Sequence, residues 1–88
     1  MYTVVIHHTY DPEVRVTAYH KKEDAVAYAR ETYEEMVKEE ENESETFLKH
    51  LSSFDDETGD GELVWVSTNP GSDYDVTSIL TIEVKEIN

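Results

Sequence analysis

The stretch "TVVIHHTYDPEVRVTAYHKKEDAVAYARETYEEMVK", residues 3–38, changes its apolar period partway along. Val4, Ile6 and His8 alternate with Thr3, Val5 and His7, and Val14, Val16 and Ala18 alternate with Arg15, Thr17 and Tyr19. A period of two marks strands. Tyr10-Asp11-Pro12-Glu13 marks the turn between them, because proline fixes φ and an Asp side chain bonds its local backbone. Placing Ile6 opposite Val16, and Val4 opposite Ala18, completes one apolar face and leaves His7, Arg15 and Tyr19 on a wet one. From Lys22 the period becomes helical: Ala25, Val26, Ala29, Tyr33, Met36 and Val37 form a stripe at steps of three and four. Glu23 and Asp24 open the first turn, where the helix dipole favours acids. The pattern predicts a hairpin followed by a helix ending near Glu40.

Downstream, Asn42-Glu43-Ser44-Glu45 has the spacing of a capping box. Phe47, Leu48, Leu51 and Phe54 then share one side of a second predicted helix, separate from the first or continuous with it as a bent rod. "DDETGDGE", residues 55–62, reads as an acidic loop. Leu63 to Thr68 is a strand apolar on both faces, as a covered strand is. "NPGSDYD" is a turn, and "VTSILTIEVKEI" the longest strand, with Leu80, Ile82 and Val84 on one side. The expectation is one α+β domain over residues 1–88: a four-stranded antiparallel sheet, ββ-α(α)-ββ, strand order 2-1-4-3, with one or two helices on one face.

Twenty-one Asp and Glu stand against seven Lys and Arg, a net charge of -14. Such a surface repels nucleic acid and anionic lipid and speeds encounter with basic surfaces. The expected partner is therefore a basic protein, itself nucleic-acid-binding or a nuclease, with no direct contact to nucleic acid or membrane. There is no cysteine, and hence no disulfide. The N-terminus lacks a basic region followed by an apolar run, and no segment reaches the roughly 20 apolar residues that span a bilayer. A cytoplasmic location is expected.

Glu31, Glu35, Glu39 and Glu43 are spaced four apart, with Glu34 and Glu41 in a looser second row. Each like-charged i,i+4 pair costs roughly 0.2–0.5 kcal/mol, so the row costs about 1 kcal/mol. Its repeat of about 6 Å is of the same order as the step of about 3.4 Å per phosphate along a nucleic-acid strand. Asp55, Asp56, Glu57 and Asp60 extend the acidic surface. A row that opposes its own helix is explained by a basic partner that neutralises it. Two competing readings are a solvated face built from a good helix former and a surface adapted to high salt.

Other chemistry has little support. With Asp56 at position 1, the 55–62 loop puts Thr58 at position 3 and Ser67 at position 12, where an EF-hand needs a bidentate glutamate. His7 and His8 point to opposite faces of a strand. No phosphate loop or nucleophile elbow is present. No metal, cofactor or catalytic residue is expected, and the chain reads as a non-enzyme.

In "ETYEEMVKEEENESE" and "DDETGDGE", and in its short length, the chain resembles the small acidic inhibitors that phages and mobile elements encode against host defence nucleases, the anti-CRISPR proteins among them. The likeness is one of character and carries no aligned motif. It implies a nucleic-acid mimic that acts in the host cytoplasm and covers a basic groove. The alternative is a structural or regulatory interaction module, homodimeric in one form, that binds through the outer sheet face (Ile79, Thr81, Tyr19) or an exposed strand edge.

Overall fold

Two alternating segments, one amphipathic segment and two further apolar runs give an α+β structure in which one helix lies on a five-stranded antiparallel sheet. The computed structural model describes residues 1–68 and 75–87. In chain order the elements are β1 (Tyr2–His8), β2 (Val14–Tyr19), α1 (Lys22–Glu43), β3 (Ser53–Phe54), β4 (Gly61–Thr68) and β5 (Asp75–Glu86). The sheet order is β2-β1-β5-β4-β3. The expected 2-1-4-3 order is present in it, with β3 added outside β4. The predicted 69–75 turn and Tyr74 lie outside the described residues, apart from Asp75, which opens β5.

The core follows the predicted stripes. Val4 pairs with Val84 and Ile6 with Ile82 across β1 and β5, as Leu63 and Leu80 do across β4 and β5. Ala25 and Ala29 of α1 close onto Val4, Ile6, Leu63 and Ile82, all buried, with Tyr33, Met36 and Val37 around them. The two alanines let the helix approach closely where strand side chains are bulky. Val64, on the other face of β4, is buried as well. The continuous apolar run of that strand is thus covered on both sides.

Three expectations are corrected. First, α1 continues to Glu43, and no second α-helix follows among the described residues. Asn42 lies inside α1 and caps nothing; Ser44 ends it by donating its backbone N–H to the Glu40 carbonyl at 2.9 Å. Residues 46–54 line the edge of β4 instead. Val66 N donates to the Thr46 carbonyl, Leu48 N to the Val64 carbonyl, and Phe47 bridges Trp65. Only Lys49–Leu51 forms a 3₁₀ turn before β3. Helical spacing of Phe47, Leu48, Leu51 and Phe54 was outweighed by the need of β4's edge for backbone partners.

Second, the sheet has five strands, because β3 pairs with Glu62 and Gly61. Third, the hairpin register is shifted by one residue: Val5 faces Val16, and Ile6 faces Arg15. A shift of one turns every side chain of a strand over. Arg15, Thr17 and Tyr19 therefore share the helix side, and Val14, Val16 and Ala18 the open side. The turn sets this register. Asp11 N donates to the His8 carbonyl at 3.2 Å, and Asp11 Oδ1 accepts from Glu13 N at 2.9 Å. Tyr19 gains from it a tilted ring contact with Tyr28 of α1, centroids 5.6 Å apart.

Candidate functional site

Alpha-helical geometry spreads the glutamates around α1. A four-residue step advances about 40° beyond a full turn, so the row descends as it goes. Tyr28 meets Tyr19 of β2, and Arg30 and Tyr33 meet Asp56 and Phe54 on the β3–β4 side. These contacts orient the helix. Glu31 sits near its crest, and Glu35 and Glu39 lie progressively nearer β2. Glu43 is the last residue of the helix. Glu34 and Glu41 lie on the opposite flank. All six are exposed. The two rows thus form two flanks of one helix instead of one surface.

Their pairing differs as well. Among the described residues three ion pairs form: Arg30–Asp56 at 2.8 Å, Lys49–Glu41 at 2.8 Å and Lys85–Glu83 at 3.2 Å. Glu41 and Asp56 are therefore engaged within the chain. Glu31, Glu34, Glu35, Glu39 and Glu43 have no cation of this chain at ion-pair distance among the described residues. The end of the helix adds a second penalty. Its last turn carries acids and no base, although the dipole there favours cations by about 0.3–1 kcal/mol each. Lys49, reaching back from beyond the helix, is held protonated above the usual lysine range by its hydrogen bond to Glu41.

The acidic loop has structural duties. Asp55 Oδ1 accepts from Glu57 N at 2.8 Å and Thr58 N at 3.3 Å, and Asp60 Oδ1 accepts from Val84 N at 2.9 Å. Gly59 adopts φ +82° there, buried against Val26 and Val84. Asp55 and Asp60 thus fold the loop, Asp56 pairs with Arg30, and Glu57 projects into solvent. Among the described residues no group of three or more His, Asp or Glu is placed to hold a metal ion.

Two features had no signal in the local sequence. Glu40 accepts a hydrogen bond from Trp65 Nε1 at 3.0 Å. It thereby ties α1 to β4 across 25 positions of sequence and forms one wall of a cleft with His8, Tyr10, Asp11, Thr46 and Trp65. The other is the edge of β2. The sheet's opposite edge is lined by residues 46–54, but β2 is terminal in the sheet order and exposed from Val14 to Ala18. Tyr19, at its end, has its hydroxyl pKa raised by burial, then by Tyr28, Asp24 and Glu31.

Comparison with family models, with curated proteins and with solved structures found no match to this chain. No helix among the described residues is long and apolar enough to cross a membrane.

Proposed function

We propose that this chain is a non-enzymatic acidic binding protein that covers a basic, nucleic-acid-binding surface of another protein, in the manner of an anti-CRISPR nuclease inhibitor. The observation that carries this reading is the set of exposed carboxylates Glu31, Glu34, Glu35, Glu39 and Glu43, without an ion-pair partner among the described residues, on a helix whose local electrostatics they oppose. Like-charged neighbours and a mismatched helix end both lower stability. Lysines and arginines of a partner would remove the first penalty and add charge-assisted hydrogen bonds. Glu34 with Glu57, and Glu31 with Glu35 and Glu39, would contact different parts of that partner, because they occupy different flanks.

The test is capture from host lysate at low and high salt, with wild type and with Glu35→Lys/Glu39→Lys. The wild type should retain a nucleic-acid-binding protein that salt elutes and duplex nucleic acid displaces, since the Debye length falls from about 10 Å at 0.1 M to about 3 Å at 1 M. The double variant should lose it while keeping its circular dichroism spectrum. Equal capture by the double variant would eliminate the proposal.

A second reading rests on one observation. Val16, 61 % exposed, and Val14, 49 % exposed, stand beside Val5 on the open face of the sheet. In that reading the face binds an apolar partner or a second copy, and the acids are merely solvated. Salt-insensitive capture, or a dimer by light scattering, would favour it.

A further inference from the structure

Strand β2 is open in two ways. Its outer edge has no backbone partner among the described residues, and Val14 to Ala18 are exposed on both of its faces. Natural edge strands are usually guarded by proline, lysine, a bulge or brevity. Over Val14–Tyr19 the sequence VRVTAY carries one arginine and no proline, and all six residues pair with β1 without interruption. The opposite edge shows how this chain closes a strand: nine residues, 46–54, are laid along β4.

The helix runs alongside this open edge. Tyr19, at the end of β2, touches Tyr28, and Arg15, near its start, lines one hollow with Met36. Eight helical residues cover about 12 Å, and four strand residues cover about 13.6 Å. The two axes are therefore antiparallel and nearly commensurate. Their repeats match too. Glu31, Glu35 and Glu39 recur every 6 Å or so along the helix, and alternate residues of a strand recur at about 6.8 Å.

We propose that the unpaired edge of β2 is a docking site for an extended basic segment of the partner, which adds as a sixth strand with alternate lysine or arginine side chains facing Glu31, Glu35 and Glu39. The backbone ladder supplies affinity and the alternating side chains supply selection, as in other cases of strand addition. On its other face the incoming strand meets Val14, Val16 and Ala18, so the favoured sequence alternates basic with apolar or β-branched residues. A second copy of this chain is disfavoured as occupant. Each copy carries a net charge of -14, and edge-to-edge pairing would bring two glutamate rows towards one shared groove. This inference deepens the acidic-binding reading and rests on it.

The experiment uses the intact protein and an acetylated, amidated peptide, Lys-Val-Lys-Thr-Lys-Val-Lys, with its isomer Lys-Lys-Lys-Lys-Val-Thr-Val as control. In an added strand every second peptide N–H points at β2 and the others point away. Methylating one alternate set of peptide nitrogens should abolish binding, and methylating the other set should leave it intact. At about 100 times Kd only about one molecule in 100 is free, so the outward-facing amides of β2 should exchange about 100-fold more slowly. Glu35→Lys/Glu39→Lys should weaken the alternating peptide by about tenfold or more at low salt.

Equal binding of both methylated sets, or of the two isomers, would overturn strand addition while leaving the acidic-binding reading standing. Failure of the alternating peptide to bind would likewise overturn it. Peptide protection of β2 that is indifferent to Glu35 and Glu39 would overturn the basic occupant and count against the acidic-binding reading as well. Protected β2 amides without peptide, together with a dimeric mass, would show the edge occupied by a second copy and overturn the proposal.

Discussion

Replacing Glu35 by lysine should make the protein more stable while removing its binding. Glu35 is exposed, in mid-helix and outside the three ion pairs among the described residues. It has Glu31 four residues before it, Glu39 four after and Lys38 three after. Two of these relations are repulsive and one is attractive. Each is worth roughly 0.2–0.5 kcal/mol, so reversing the charge swings each by roughly 0.4–1 kcal/mol. Two favourable swings against one unfavourable swing leave a net gain of roughly 0.4–1 kcal/mol. Glutamate and lysine have similar helix propensities, so the backbone contributes little. For a domain of this size 1 kcal/mol moves Tm by about 4–8 °C, which gives a rise of about 2–8 °C. Thermal unfolding followed at 222 nm in low salt measures it. High salt should shrink the difference, because exposed charges are screened beyond a few ångströms. An unchanged or lower Tm in low salt would refute the reasoning, as would a gain that salt does not alter. A rise in Tm without loss of partner capture would leave the row as a stability defect with no compensating role.

Two further outcomes follow from single contacts. Gly59→Ala would place a methyl carbon 2.6 Å from Val84 Cγ2 at a backbone φ of +82°. Left-handed strain of about 1–2 kcal/mol and overpacking of about 1–3 kcal/mol together predict a loss of roughly 2–5 kcal/mol in urea unfolding, and a loss below about 1 kcal/mol would contradict it. Stability should also fall as pH rises above about 10. Burial raises the Tyr33 hydroxyl pKa in the folded state, with nearby Lys49 pulling the other way, and the Glu41 hydrogen bond raises that of Lys49. The unfolded chain therefore releases these protons first, and binding fewer protons than the folded state it gains relative to it with rising pH. Tyr33→Phe should flatten the decline between pH 9 and pH 11, and an unchanged slope would show the cause to lie elsewhere.

Much of the fold is legible in particular residues. Val4, Ile6, Ala25, Ala29 and Ile82 fall on predicted stripes and, with Leu63 of the predicted covered strand, form the buried core. What misled was ambiguity between periods. Phe47, Leu48, Leu51 and Phe54 fit a helix, yet apart from a 3₁₀ turn at Lys49–Leu51 their segment lies along β4, whose edge recruited its backbone. Along α1, the exposure of Glu31, Glu35 and Glu39 is legible from a solvated helix face. The engagement of Glu41 with Lys49, of Asp56 with Arg30 and of Asp55 and Asp60 in the loop is not, since each partner is set by a turn or a chain crossing that no local pattern records.

The sequence alone determined the α+β class, the core stripes and the density of negative charge on α1, because these depend on period and composition, which act over a few residues. The tertiary structure decided which face of β2 turns towards the helix, which acids keep their charge free of internal partners and which sheet edge stays open. Those depend on a one-residue register and on contacts between distant segments, where the gain from one arrangement over another appears only when the whole sheet is assembled.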